Sequence, residues 1–269
     1  MSSPLAVPEP WNLVAAAYAH ETVPRFEYFA RQALQLTSLA PPARVVDVAS
    51  GPGTLTRLAA QAGHRVSAID FSPSMIAMLG GVIEREGLAS LVDARVGDGM
   101  ALPYADESFD AGFSMFGLMF FPDRERGLRE LLRVVVPGAP VVISSWFPFE
   151  SVPLMNEAFA ALVELAPPPP GTPPFAPPLT ASADCLAEMS AAGFRDVAVH
   201  DVTFESTISS VSEFWAEMVR TGAPIALRKA AMGASFDELS KGVLARLRAK
   251  FGDGPQPLAM PAHLTFGRR

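Results

Sequence analysis

The segment VVDVASGPGTLT, residues 45–56, constrains the fold of this chain more than any other part of its sequence. An apolar, valine-rich stretch leads into two glycines, Gly51 and Gly53, and a helix-forming stretch follows them. Glycines allow a sharp turn and a close approach of the backbone to a ligand, and the free N–H groups at the start of a helix attract a negative group. The segment therefore predicts a strand, a ligand-binding turn and a helix.

Strand and helix patterns alternate on both sides of this turn, which is typical of a parallel sheet covered by helices. The sequence predicts crossover helices at 54–62, 73–87, 123–134 and 182–192. It predicts strands at 44–49, 65–70, 94–97, 110–115, 140–146, 197–203 and 263–267. The expected fold is α/β, a Rossmann-like seven-stranded and mostly parallel sheet with helices on both faces, plus helical cap segments.

The same pattern divides the chain into segments. We expect an N-terminal helical lid at 1–40, a cofactor-binding core at 41–146, a proline-rich insertion or lid at 147–180, more of the core at 181–205, a helical cap at 206–257 and a terminal core strand at 258–269. Eight of the twelve residues from 167 to 178 are proline. Such a density excludes a helix or a central strand and predicts an extended loop or a surface lid.

Composition excludes several classes of function. The formal net charge is −7 and the basic residues are scattered, which argues against a nucleic-acid partner because phosphate contacts need clustered lysine and arginine. No apolar run reaches the roughly 18 residues of a membrane span, and the first residues do not resemble a secretory signal. We therefore expect a cytoplasmic protein. Cys185 is the only cysteine, so an internal disulfide and a cysteine-rich zinc site are excluded.

Acidic residues near the strand ends indicate the kind of ligand. Asp70 ends the second strand, where a carboxylate can accept hydrogen bonds from both hydroxyls of an adenosine ribose. Asp47 lies four residues before Gly51, where a pyrophosphate has no use for a negative charge but an ammonium and a sulfonium do. Asp98 follows the third strand, beside the expected adenine edge. Thr56 stands where a dinucleotide fingerprint has its third glycine. Together these features favour S-adenosylmethionine over NAD.

The sequence from residue 43 to 146 resembles the class I methyltransferase superfamily, and more narrowly the bacterial group similar to ubiquinone/menaquinone-biosynthesis methyltransferases (methyltransferase type 11). The similarity includes the glycine loop, AIDFSPSMI, VGDGMALPYADESFDAGFS and FFPDRERGLRELLRVVVPGAPVVIS, in that order. The resemblance implies S-adenosylmethionine as cofactor, S-adenosylhomocysteine as product, and no metal. It implies cofactor contacts from Tyr18, Asp47, Ala49, Gly51, Gly53, Asp70, Phe71, Met75, Asp98, Gly99, Met100 and Ser114.

The resemblance also implies which part of the cofactor several of these residues contact. In the family, the acid matching Asp47 helps to hold the amino-acid end of the cofactor, the acid matching Asp70 binds the ribose, and the acid matching Asp98 meets the adenine amino group. The backbone at the position of Ser114 lies near the methionine portion. Ala49 departs from the family pattern because it replaces the first glycine of the loop, and we expect it to preserve the close approach if its φ is negative.

Aromatic residues beyond the strand ends predict an apolar substrate pocket, because ligands of open α/β sheets lie outside the carboxyl ends of the strands. Phe116, Trp146 and Phe149 are the candidate pocket residues, and core packing is the alternative for their neighbours. His20 is the candidate general base, because it follows Tyr18 in an N-terminal segment that family members use as a lid; a surface residue or a simple lid contact is the alternative.

The predicted function is methyl transfer to a small, largely apolar acceptor. After the fourth strand the chain reads SMFG and lacks the Asn/Asp-Pro-Pro-Tyr/Phe type of motif that resembles amine-directed methyltransferases, so O- or C-methylation is favoured over N-methylation. Two alternatives stay open at this point: an NAD(P)-dependent oxidoreductase, and a non-catalytic cofactor-binding protein of the same fold. The sequence also leaves open the identity of the acceptor and whether the chain forms a homodimer.

Overall fold

The computed structural model describes residues 3–167 and 178–269. Its strands are β1 (Arg44–Val48), β2 (Arg65–Asp70), β3 (Val92–Val96), β4 (Ala111–Ser114), β5 (Pro140–Trp146), β6 (Arg195–Ile208) and β7 (Gln256–Arg268). Its α-helices are α1 (Glu9–Ala17), α2 (Val23–Thr37), α3 (Thr54–Gln61), α4 (Pro73–Glu86), α5 (Arg124–Val134), α6 (Pro153–Leu165), α7 (Ser182–Ala191), α8 (Val211–Thr221), α9 (Ala223–Met232) and α10 (Phe236–Phe251).

The seven strands form one sheet in the order β3-β2-β1-β4-β5-β7-β6. The first five strands pair in parallel, and β7 runs antiparallel to both of its neighbours. The predicted Rossmann-like, mostly parallel α/β fold is therefore confirmed. Strand order reverses between β1 and β4, so the carboxyl ends of these two central strands border the crevice in which open α/β sheets bind ligands.

Side chains of the central strands alternate between two apolar layers. On β1, Val46 and Val48 pack with α5 and α7, whereas Val45 packs on the other face with α2, α3 and α4. Both faces of the strand are thus buried, which explains its three valines. This burial fixes the position and direction of β1, and it therefore also fixes the position of the glycine turn that follows the strand.

Four further helices build a cap with its own apolar cluster. Buried side chains of α6, α8, α9 and α10 pack together, with Phe214, Trp215 and Phe236 among the largest of them. Helix α1 also contacts α8 and α9. The N-terminal segment and the cap are therefore packed against each other above the sheet.

Strands β6 and β7 are much longer than the sequence predicts. They pair with each other as far as Ile208 and Gln256, although β5 pairs with β7 only as far as Trp146 and Ala262. Beyond that point no described strand pairs with β7 on the β5 side, and Pro257 and Pro261 are tolerated there because a proline has no N–H to donate to a second neighbouring strand. These prolines interrupt the strand pattern in the sequence, and the strand predicted at 263–267 is therefore shorter than β7.

Residues 168–177 lie outside the described residues, so the extended loop or lid expected at 167–178 stays a prediction. Across residues 3–167 and 178–269, no helix is both long enough and apolar enough to cross a membrane.

Candidate functional site

A deep cavity opens where β1 and β4 end. About 1020 Å³ of empty space lies between its lining residues, part of it open solvent. Most of the sequence-predicted cofactor residues line it: Tyr18, Asp47, Ala49, Gly51, Asp70, Phe71, Met75, Asp98, Gly99 and Met100. We call this space the first cavity.

Asp70 fixes the shape of the glycine turn. One carboxylate oxygen of Asp70 accepts a hydrogen bond of 2.8 Å from the backbone N–H of Gly51, and the other accepts one of 2.8 Å from Ser72. The side chain is 6% exposed. Burial raises the pKa of Asp70 to about 6, and the two backbone hydrogen bonds partly offset this rise. The carboxylate therefore joins two strand ends while it borders the cavity.

Asp47 is tied to the helix that follows the turn. A single oxygen of its carboxylate accepts hydrogen bonds from the backbone N–H and the hydroxyl of Thr56, at 3.1 and 2.6 Å. Burial raises the pKa of Asp47 to about 7; the bonds from Thr56 oppose this, and the charge of Asp70 adds to it. Thr56, which occupies the third-glycine position of a dinucleotide fingerprint, thus serves to hold an acid in place.

Ala49 does not have the negative φ that the sequence analysis required. Its φ is +58°, a left-handed conformation that costs a residue with a Cβ roughly 1 kcal/mol relative to glycine. The turn nevertheless accommodates the methyl group because its neighbour is Gly117, where an added Cβ would come within 2.3 Å of the Ala49 Cβ. The close approach therefore depends on the pair Ala49 and Gly117, and the expectation of a negative φ is wrong.

The two glycines of the turn have different surroundings. Both have positive φ, +56° at Gly51 and +89° at Gly53. A Cβ added at Gly51 would meet no atom within 4 Å, whereas a Cβ at Gly53 would lie 2.3 Å from the Cδ1 atom of Leu79. Gly51 lines the first cavity, and Gly53 is not among its lining residues in the described chain. Gly53 therefore permits α4 to pack on the turn.

The charges around the first cavity have one sign. Asp47, Asp70 and Asp98 are acidic, and the described lining contains no lysine, arginine or histidine. Asp98 is exposed, and its carboxylate accepts a hydrogen bond of 2.8 Å from the N–H of Met100. A pyrophosphate would meet repulsion from all three acids, whereas an ammonium group or a ribose hydroxyl would be attracted.

A second cavity adjoins the first one below the cap. It encloses about 1280 Å³ of space, part of it open to solvent. Its lining is largely aromatic and aliphatic and includes the predicted pocket residues Phe116, Trp146 and Phe149. The two cavities share five residues that form the wall between them: Trp11, Tyr18, Phe26, Phe116 and Phe120.

Phe116 is one of these wall residues, and its backbone is strained. Its φ is +58°, an uncommon value for a bulky residue, and strain of this kind concentrates at functional sites. Its ring stacks on Trp146 with the centroids 3.9 Å apart, and its backbone N–H donates to the Ser144 hydroxyl at 2.8 Å. The stacking and the hydrogen bond hold the strained conformation.

The N-terminal segment contributes Tyr18 to both cavities. Helices α1 and α2 are joined by a π-helical turn, Tyr18–Thr22, a local structure that often marks functional sites. Burial, together with the nearby negative charge of Asp70, raises the pKa of the Tyr18 hydroxyl above its ordinary range. Tyr18 therefore remains a protonated hydrogen-bond donor at neutral pH.

Two further predicted residues lie elsewhere. His20 is exposed and belongs to neither lining in the described chain, so the geometry gives no support to its role as a base. Ser114 is fully buried, and its hydroxyl accepts a hydrogen bond of 3.2 Å from the N–H of Leu118. It supports the turn after β4 from below.

Sequence reasoning missed the residues that close the site from the N-terminal side. The side-chain oxygen of Asn12 accepts hydrogen bonds from the hydroxyl of Ser72 and the N–H of Ser74, at 2.6 and 3.3 Å. These bonds fasten α1 to the start of α4, next to Asp70. The available signal was the Ser72-Pro73 pair, which is typical of a helix start: Ser72 caps α4, and a capping hydroxyl can also donate a hydrogen bond to a partner from another helix.

Comparison with known proteins agrees with this geometry. Residues 46–143 match the model of a family described as a methyltransferase domain. A demethylmenaquinone methyltransferase of Desulfitobacterium hafniense is 35% identical over 115 residues, which are 42% of this chain and 46% of that protein. The norajmaline N-methyltransferase of Rauvolfia serpentina is 35% identical over 106 residues, which are 39% of this chain and 36% of that protein. The chain thus spans less than half the length of these curated relatives.

The fold has solved counterparts. A Haemonchus contortus phosphoethanolamine N-methyltransferase, crystallised with phosphomonomethylethanolamine and S-adenosylhomocysteine, superposes with a TM-score of 0.58 and 18% identity over 94% of this chain and 56% of that one. At this identity the likeness concerns the fold alone. Residues 46–143 match the methyltransferase-domain family, and this match, together with the relatives named as methyltransferases, supports an S-adenosylmethionine-dependent methyltransferase enzyme.

Proposed function

We propose that this chain transfers a methyl group from S-adenosylmethionine to a small, largely apolar acceptor bound in the second cavity. The observation that carries the proposal is the arrangement of two adjoining cavities with opposite character. The described lining of the first contains three acids and no basic residue, that of the second is largely apolar, and the two share an aromatic wall. Bound in the first cavity, the cofactor supplies an electrophilic methyl group on a sulfonium.

The residues of the first cavity fit this cofactor. Asp70 would accept hydrogen bonds from the ribose hydroxyls, Asp47 would face the amino-acid end, and Asp98 would meet the adenine amino group. Gly51 leaves open space beside its Cα, so the backbone of the turn can approach the ligand. Phe71, Met75, Gly99 and Met100 supply the apolar and backbone contacts of the same lining.

The aromatic wall and the cap have a different task. Methyl transfer from a sulfonium needs alignment of the reacting atoms and exclusion of water more than it needs acid or base chemistry. Phe116, which belongs to the shared wall, stacks on Trp146. Helix α1 with α8 and α9 covers the site. These elements would hold the acceptor in line and keep water from the sulfonium.

The lining of the second cavity favours oxygen or carbon as the methyl acceptor. Glu217 is the only carboxylate in the described lining, and both of its oxygens are engaged by Arg25. A cationic amine would therefore find no free acid. The described lining also contains no histidine, so we propose an acceptor that ionises by itself, such as an acidic enol or phenol. The Rauvolfia relative is named for N-methylation, and a nitrogen acceptor is the alternative.

Transfer of labelled methyl from S-adenosylmethionine to a panel of small enols, phenols and amines tests the proposal. We expect product with apolar enols or phenols and loss of product in Gly51→Val. Binding of S-adenosylhomocysteine without transfer to any panel member would favour the non-catalytic alternative. Transfer to amines alone would contradict the assignment of oxygen or carbon.

A further inference from the structure

The second cavity contains one polar corner in an otherwise apolar lining. Thr22, at the end of the π-helical turn, and Arg25, in the first turn of α2, both line this cavity and not the first one. The Thr22 side chain is nearly fully buried. Its hydroxyl oxygen and the Arg25 Nε are buried atoms without a hydrogen-bond partner among the described residues. Buried polar atoms without partners are rare in folded proteins and call for a ligand or water.

The remaining nitrogens of Arg25 are already engaged. Its Nη1 donates to one Glu217 oxygen at 3.0 Å, and its Nη2 donates to the other. This bidentate pair engages both Nη atoms of the guanidinium and leaves Nε as the nitrogen without a partner among the described residues. The Thr22 hydroxyl, one helical turn away on the same face, is a second donor.

The charge of this corner is balanced. Arg25 and Glu217 are the only charged residues in the described lining of the second cavity, and they neutralise each other. A ligand carboxylate placed here would add an unbalanced negative charge beside Glu217, which is costly in a buried site. A neutral oxygen acceptor would satisfy both donors without that cost.

We infer that the polar corner formed by Thr22 and Arg25 anchors the apolar acceptor through a neutral oxygen, such as a ketone or an ether, at a point away from the reacting atom. Neither residue belongs to the wall shared with the first cavity, so the anchor orients the ligand and does not take part in methyl transfer. The inference rests on the proposed function, because it treats the second cavity as the acceptor site.

Three small probes of the same shape test this anchor. Benzylacetone carries a ketone, isopentylbenzene replaces the carbonyl by a hydrocarbon branch, and hydrocinnamate carries a carboxylate. In calorimetric titrations of the protein saturated with S-adenosylhomocysteine, we expect benzylacetone to bind about tenfold more tightly than isopentylbenzene, as one added hydrogen bond would give. We expect hydrocinnamate to bind more weakly than benzylacetone.

Substitutions locate the preference. Thr22→Val keeps the shape but removes the hydroxyl, and we expect it to reduce the ketone preference several-fold, whereas Thr22→Ser should retain it. Thr221→Val is the matched control, because Thr221 lines the same cavity but its hydroxyl donates to the backbone oxygen of Glu217. The double variant Arg25→Met with Glu217→Met removes the other donor without leaving a charge unpaired.

The outcomes separate this inference from the proposed function. Equal binding of ketone and hydrocarbon, tighter binding of the carboxylate, an unchanged preference in Thr22→Val, or no binding of any probe would each overturn the anchor. None of these results depends on turnover. If S-adenosylhomocysteine itself fails to bind, the proposed function fails, and the probe titrations on the ligand-free protein still report on the polar corner.

Discussion

The two cavities differ in how the chain builds them. Asp47 and Asp70 of the first cavity lie on neighbouring parallel strands, and both accept hydrogen bonds from backbone N–H groups within residues 51–72. The second is formed by side chains from helices and strand ends that are far apart in sequence. Cofactor recognition is therefore a local property of the sequence, whereas acceptor recognition depends on how the cap packs.

The largest effect on binding is expected when a side chain is added to the glycine turn that lines the first cavity. Gly51→Val should reduce binding of S-adenosylhomocysteine below detection in calorimetry, because the new side chain occupies open space in the lining. Gly233→Val is the matched control: its φ is +57°, it also has open space around its Cα, and it lines neither cavity in the described chain. Both variants place a branched side chain at a positive φ, so equal affinities would show that the turn does not contact the ligand.

A smaller effect is expected when a single acid of the first cavity loses its charge. Asp70→Asn should weaken binding of S-adenosylhomocysteine by about 1.5–3 kcal/mol, the range for a charged hydrogen-bond partner. Asp93→Asn removes the same charge from the adjacent strand β3, at a position outside the first cavity's described lining, and should leave the affinity unchanged. If calorimetry gives the same dissociation constant for Asp70→Asn as for the control, Asp70 is not in the site.

The pH dependence of binding should follow the two buried acids. The pKa of Asp70 is raised to about 6 and that of Asp47 to about 7. The ammonium group and the ribose hydroxyls of the ligand would stabilise the ionised form of both carboxyl groups. Protonation of Asp70 alone should lower the affinity for S-adenosylhomocysteine about tenfold at about pH 5 relative to about pH 8, protonation of Asp47 should lower it further, and binding should release protons. Calorimetry in buffers of different ionisation enthalpy measures the released protons, and a flat profile would contradict the raised pKa values.

The stability of the ligand-free protein should change in the opposite direction. Because both acids have a higher pKa in the folded state than in the unfolded chain, their contribution to stability is complete below the ordinary pKa near 4 and is lost as the pH rises through about 6 to 7. Denaturant titrations across this range measure the loss. Substituting Asp70 by Asn should remove part of it.

The smallest effect concerns Ala49, where the turn departs from the family pattern. Ala49→Gly should stabilise the protein by up to about 1 kcal/mol, because glycine adopts the observed φ of +58° without strain. Ala245→Gly, at an exposed position in the interior of α10, should instead destabilise it by about 1 kcal/mol, since glycine loses more conformational freedom than alanine in a helix. Chemical denaturation measures both, and destabilisation by Ala49→Gly would contradict the geometry of the turn.

Ten of the twelve cofactor residues expected from the sequence line the first cavity, because the sequence signals behind them are local. The alternation of strands and helices, the glycine turn and the positions of Asp47, Asp70 and Asp98 follow from spacing alone. The sign of φ at Ala49 could not be predicted, because it depends on Gly117, whose missing Cβ makes room for the Ala49 side chain. Local patterns do not report such long-range pairs.

The second cavity was predicted only in outline. Phe116, Trp146 and Phe149 were identified from their place beyond the strand ends, and all three line it. The pairing of Arg25 with Glu217 joins residues 192 positions apart, and no periodicity in the sequence connects them. His20 was a candidate because it lies next to Tyr18, yet the π-helical turn leaves it exposed.

Calorimetric titration of the unmodified protein with S-adenosylhomocysteine and, separately, with NAD tests which of the two ligands the first cavity binds. The three acids and the absence of a basic residue in the described lining of the first cavity predict one-to-one binding of S-adenosylhomocysteine and no measurable binding of NAD. Binding of NAD with equal or higher affinity would contradict the account and would favour an oxidoreductase.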